Sequence, residues 1–213
     1  MTTPALLTAD DLLRLQPPDK RTELVRGRMI VREPAGFRHG GIAMTIAARL
    51  QPFVRERNLG RVLAPETVFK LFSDPDTVRA PDVAFARHER IPDPIPLGFA
   101  PFAPDLAVEV LSPDDRPGAV LDKIADWLQA GTHLVWIIDH DRRQARIHRS
   151  DGSLSVVGES GTLDGEDLLP GFGCRLTDVI GRDISPTPAE HHRIVAPPAR
   201  DHRLDRPQAP NLA

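Results

Sequence analysis

The chain has a single cysteine among its 213 residues, Cys174. No internal disulfide can form, so a disulfide-stapled scaffold is excluded and a reducing, cytoplasmic setting is expected. No apolar run approaches the roughly 18 residues a membrane helix needs, which argues against a spanning segment. Residues 1–11 lack the basic start and long apolar stretch of a signal peptide. A basic excess is missing too. The formal net charge of −3 excludes a globally basic nucleic-acid binder and leaves room only for a local basic groove. There is no HExxH pattern and no glycine-rich phosphate loop, and Gly158-Glu159-Ser160-Gly161 lacks the spacing of a nucleophile elbow. Cys174 has no base near it in sequence and reads as a packed residue. Lysine is scarce as well: of 27 basic residues only Lys20, Lys70 and Lys123 are lysines. In a chain that uses arginine almost everywhere, a lysine in an unusual place carries weight.

What is present suits one globular domain with a remainder. Hydrophobic residues make up 40% and charged residues 27% of the chain, enough to bury a sizeable core. Many of the 22 prolines fall near the end. From about Asp183 they mix with histidine and arginine and nothing apolar repeats, so the expected organisation is a folded domain over 1–183 and a disordered tail over 184–213. Thr8 with Asp10 and Asp11 starts a short helix that stops at Pro17-Pro18. Residues 23–31 read as a hairpin turning at Arg26-Gly27. Ile42, Ile46, Leu50, Phe53 and Val54 follow helical spacing over 37–57, with Pro52 predicting a kink or an early end. Short strands are expected at 61–63, 68–71 and 80–85, then a proline-rich loop over 91–104. Residues 106–111 and 134–138 are apolar runs of the kind buried in a sheet, joined by a helix over 119–130 that ends at Gly131. A hairpin follows around Asp151-Gly152, and residues 168–172 with a short helix near Thr177 close the fold. Strands and helices intermixed in this order predict an α/β fold, a mixed central sheet flanked by helices.

Within that frame some polar residues are out of place. Glu109 lies in the run Leu106 to Leu111, in a strand expected to be covered on both faces. An ionised carboxylate buried without partners costs several kcal/mol, so Glu109 reads either as a strand-end residue facing solvent or an arginine partner, or as a metal ligand. Asp82 follows Pro81 at a strand start, and alternation sends it with Ala84 and Ala86 to the face opposite Val83 and Phe85. Alone, Pro-Asp is a common turn dipeptide. Paired with Glu109 on a neighbouring strand, it makes the acidic pair that a hard cation such as Mg²⁺ requires. Lys123 is one turn from Val120 and Trp127, on the apolar side of its helix or at its margin. It either snorkels to the surface or is kept because lysine can change protonation state and arginine cannot, and in both cases Val120, Ile124 and Trp127 are expected to accept an apolar chain in its place.

Taken in order, these residues resemble the PD-(D/E)XK nuclease core, and more closely the Uma-type family of restriction endonucleases. The matching pieces are Glu23-Leu24-Val25-Arg26-Gly27, Phe37-Arg38-His39-Gly40, residues 79–85, residues 104–113, Lys123 and Val135 to Asp139, spread over residues 8–180. The resemblance implies a restriction-endonuclease-like core in which Asp82 and Glu109 ligate Mg²⁺ (or Mn²⁺), Lys123 stands for the motif lysine, and Glu23 is an auxiliary acid. Leu111 occupies the place of the ExK lysine, which this family supplies from the following helix. Arg38, His39, Arg79 and Arg116 are candidate phosphate contacts, although arginines in so arginine-rich a chain are as readily surface charges, and His39 could equally cap its helix or lie on the surface. The expected partners are a DNA substrate and a second copy of the chain in a homodimer. Two other classes stay open: a catalytically silent nucleic-acid-binding or regulatory module on the same fold, and a metal-dependent hydrolase of some other phosphoester.

Overall fold

The computed structural model describes residues 5–15 and 20–181. The Pro17-Pro18 stop and the proline-rich tail lie outside the described residues. Helix α1 (Ala9–Leu15) is capped as its sequence predicts: Thr8 Oγ1 accepts from the Asp11 amide at 3.2 Å, and the Asp11 carboxylate accepts from the Thr8 amide at 2.9 Å. Strands β1 (Arg21–Val25) and β2 (Arg28–Arg32) form the expected hairpin. Its turn residues, Arg26 and Gly27, have φ of 49° and 73°, the left-handed pair whose twist matches two antiparallel strands. A Cβ on Gly27 would also meet Leu6 Cβ at 2.7 Å, so both space and φ call for glycine there.

Helix α2 (Phe37–Glu56) runs its full periodic length, and Pro52 does not end it early. Strands β3 (Gly60–Leu63), β4 (Phe69–Phe72), β5 (Thr77–Arg79) and β6 (Val83–Arg87) follow. After the 91–104 loop come β7 (Leu106–Val110), helix α3 (Pro117–Gln129) and β8 (Leu134–Asp139). Strands β9 (Gln144–Arg149), β10 (Leu154–Gly158), β11 (Thr162–Asp164) and β12 (Gly173–Arg175) lead into helix α4 (Leu176–Ile180). Strand β5 has no counterpart in the sequence reading. Its three residues are too few to show a period, and their pairing with β1 and β4 defines it.

The main sheet has the order β10-β9-β8-β7-β6-β3 and is mixed, as expected: β7 and β8 are parallel, linked by α3, and the other neighbours are antiparallel. Its two faces bury different side chains. Val83, Phe85, Leu106, Val108 and Trp136 pack against Ile42, Ile46 and Leu50 of α2, and that core runs on into α4. Ala84, Ala107, Val135 and Ile137 lie on the other face, and their small or slender side chains leave room for Trp127 of α3, whose ring meets Phe69 edge-on at 6.1 Å. A second sheet, β2-β1-β5-β4, reaches the main sheet through the link Ala80-Pro81-Asp82 between β5 and β6. Among the described residues no helix is long and apolar enough to cross a membrane.

Candidate active site

Where β5 of one sheet passes into β6 of the other, four elements bring charge to one point. Asp82 is fixed by backbone geometry. Its amide donates to the Val108 carbonyl at 2.9 Å, and its Oδ2 accepts from the Val110 amide at 2.8 Å, so the carboxylate bridges to β7. Glu109, on β7, points to the face opposite Val108 and Val110, as alternation requires. The two acids are 3% and 8% exposed. Glu23 of β1 and Lys123 of α3 complete the set. Lys123 Nζ lies 2.7 Å from Glu109 Oε2, 3.1 Å from Glu23 Oε1 and 3.2 Å from the Ala80 carbonyl oxygen. All four side chains line one pocket of about 630 Å³.

The sequence-predicted acids and lysine therefore meet. Lys123 does not snorkel. Its stem crosses the margin of the apolar stripe and its head turns inward onto acceptors.

Each of these charges has identifiable company. Glu109 Oε1 accepts from Trp127 Nε1 at 2.9 Å, so donors engage both of its oxygens. Glu23 Oε1 accepts from the Ala80 amide at 3.2 Å and Oε2 from Arg79 Nη1 at 3.1 Å, with Arg32 Nε at 3.4 Å. Asp82 Oδ1 accepts from Arg21 Nη2 at 3.1 Å, and His39 Nε2 stands 3.1 Å from Oδ2. The titration behaviour divides accordingly. Burial opposes ionisation of Glu23, but the charges of Lys123, Arg79 and Arg32 prevail and hold it down to about 2. Asp82 goes the same way, to about 2: burial is outweighed by the His39 hydrogen bond and the charge of Lys123. Glu109 goes up, to about 7. Burial leads, Lys123 opposes it, and the charges of Asp82 and Glu23 reinforce it. Lys123 is raised, because Glu109, Glu23 and Asp82 outweigh its burial.

The candidate phosphate contacts are placed less uniformly. Arg79 is buried, and its guanidinium ties Glu23 to Asp126 of α3, with Nε 3.0 Å from Asp126 Oδ2. It holds the site together from behind. His39 is buried against Asp82 and neither caps α2 nor lies on the surface. Arg38 is exposed and turned toward the His140 carbonyl and Asp141, and Arg116 is exposed at the N-cap of α3. Neither lines the pocket. Arg21 and Arg32 do, and the sequence reading missed both. A signal was available: Arg21 alternates with Glu23 along β1, and Arg32 is its cross-strand partner in the hairpin. Asp126 and Trp127, at i+3 and i+4 from Lys123, were likewise legible as neighbours on one helix side.

Comparisons with other proteins bear on this geometry. The model of the Uma2 family, described as "Putative restriction endonuclease", matches residues 9–177. Among solved structures, one described as a putative nuclease belonging to DUF820 from Anabaena variabilis is similar at a TM-score of 0.72 and 24% identity, covering 82% of this chain and 97% of that one. That likeness establishes the fold. Among curated proteins none matches the chain.

Proposed function

The chain belongs to the Uma2 family of putative restriction endonucleases, and from that premise we propose that it is an endonuclease hydrolysing DNA phosphodiesters with a divalent cation, Mg²⁺ or Mn²⁺, at Asp82 and Glu109. The observation that carries the reading is the meeting of Asp82, Glu109, Glu23 and Lys123 in one pocket, with Lys123 Nζ 2.7 Å from Glu109. Asp82 and Glu109 supply the carboxylates, and a cation reaching Glu109 would displace Lys123 or Trp127, the donors that engage its two oxygens. Among the described residues no three His, Cys, Asp or Glu side chains are grouped to hold a metal by themselves, and Mg²⁺ characteristically takes one or two carboxylates and fills its shell with water and substrate phosphate. Bound there, such a cation supplies charge against the phosphoryl oxygens and lowers the pKa of a water.

This chain's own side chains do the rest. Lys123 orients the attacking water or neutralises the charge that grows on the phosphoryl group. Glu23 keeps the Lys123 ammonium close to Glu109. Arg21 and Arg32, in the pocket wall, take the phosphate-contact role first expected of Arg38, Arg79 and Arg116. The reading extends to a homodimer in the cytoplasm, which light scattering and fractionation test. The decisive experiment is metal-dependent cleavage of plasmid and branched DNA by the wild type and Asp82→Ala. Cleavage by the wild type alone supports the reading. DNA binding without cleavage by the wild type would instead favour a catalytically silent binding module.

A further inference from the structure

Two features of the pocket concern what can enter it. The first is depth. Asp82 and Glu109 are 3% and 8% exposed, so a phosphodiester must be brought down into the recess to reach them. A DNA duplex must be bent or kinked to bring one phosphate inward, which costs deformation energy, whereas a single strand bends without that cost. Duplex binding also relies on cations that neutralise a dense run of phosphates. At this rim Lys20 is paired with Glu33 at 2.6 Å, which leaves Arg21 and Arg32 to contact a short stretch of backbone rather than a dense run of phosphates.

The second feature is an aromatic ring with no packing role. Phe37, the first residue of α2, is 101% exposed. It sits between Gly36, which lines the pocket, and Arg38, two residues from the buried His39 that touches Asp82. Val31, on the hairpin wall of the same pocket, is 49% exposed. An aromatic face beside a recess that takes phosphate is what holds unpaired nucleic acid, because every base presents a π-face and duplex bases are already stacked.

Resting on the nuclease reading, we propose that the substrate is an unpaired DNA strand and that Phe37 is the stacking platform for a base flanking the phosphate in the pocket. The test uses the full chain and a labelled oligonucleotide, either single-stranded or annealed into a blunt duplex of the same sequence. Binding is read by fluorescence anisotropy with Ca²⁺ and cleavage with Mg²⁺. The single strand should bind at least about tenfold more tightly than the duplex. Phe37→Ala should weaken single-strand binding by about five- to a hundredfold, the scale of one stacked base, and Phe37→Trp should restore it. Equal or tighter duplex binding, no binding of either DNA, or a silent Phe37→Ala would overturn the proposal. Binding with this preference but no cleavage of either DNA would sink the nuclease reading alone.

Discussion

The ammonium of Lys123 stands between two buried acids, 2.7 Å from Glu109 and 3.1 Å from Glu23, and also donates to the Ala80 carbonyl at 3.2 Å. The ammonium donates to Glu109 on β7 and to the Ala80 carbonyl in the link between β5 and β6, and forms an ion pair with Glu23 on β1. This explains a lysine in a chain that otherwise prefers arginine. A compact charge with rotatable donors fits three converging oxygens, and a planar guanidinium does not.

Lys123→Met is therefore expected to destabilise the fold, against what its apolar neighbours alone suggest. It would leave Glu109 and Glu23 without their shared cation, and breaking a buried pair typically costs about 3–5 kcal/mol. Urea denaturation measures it, and a methionine variant as stable as the wild type would show that the ammonium contributes nothing. Lys123→Arg keeps the charge and loses the fit, so cleavage should fall at least about a hundredfold, the scale of one lost electrostatic stabiliser.

The acids give stability a pH dependence with two limbs. Burial, opposed by Lys123 and reinforced by Asp82 and Glu23, raises Glu109 from 4.5 to about 7. Between those values the folded chain holds a proton that the unfolded chain gives up. Its contribution is complete below about 4.5 and is lost as the pH rises to 7. Glu23 and Asp82, both held at about 2, contribute above their ordinary values of 4.5 and 3.8 and lose that contribution as the pH falls toward 2. Glu109→Gln should abolish the upper limb only. The stability of the wild type relative to this variant should fall by up to about 3 kcal/mol from pH 4.5 to 7 and then level off. A difference that does not change with pH would mean that Glu109 titrates as an exposed glutamate does.

Much of this site was legible because strand and helix periods are short-range facts. Alternation put Asp82 opposite Val83, and placed Glu109 in a strand covered on both faces. The spacing of Val120, Ile124 and Trp127 put Lys123 on the inward side of α3. What periodicity cannot supply is the partner across the fold. The contacts of Arg79 with Asp126 and of His39 with Asp82 join residues 47 and 43 positions apart, set by how the two sheets and helices pack. Arg79 therefore read as a surface phosphate ligand when it is a buried tie. The three-residue strand β5 escaped for the same reason, since only its neighbours identify it as a strand.

Arg79 and Arg38 should separate cleanly on mutation. Arg79→Ala leaves Glu23 and Asp126 buried with a lost partner each, and is expected to cost about 3–5 kcal/mol. Arg38→Ala removes a half-exposed side chain whose contacts are 3.5 Å or longer, and should change stability by no more than about 0.5 kcal/mol. Thermal melts of the two variants check this. Equal losses would place Arg38, too, in the structural framework.

The metal reading predicts a stability effect independent of catalysis. Asp82, in the link just before β6, and Glu109, on the adjacent β7, line the same pocket, and Asp82's charge is among the causes that raise Glu109, so the two acids repel each other. A cation shared between them relieves that repulsion. By mass action it also stabilises the folded chain, by about 2.7 kcal/mol when present at a hundred times its dissociation constant. Millimolar Mg²⁺ or Mn²⁺ should raise the melting temperature of the wild type, and leave that of Asp82→Asn and of Glu109→Gln nearly unchanged. The same concentration of Na⁺, which lacks the charge density to hold a hydrated octahedron, should do nothing to any of the three. A rise of equal size in wild type and both variants would mean that divalent ions act on the acidic surface at large, and Asp82 with Glu109 would then lose its standing as the cation site.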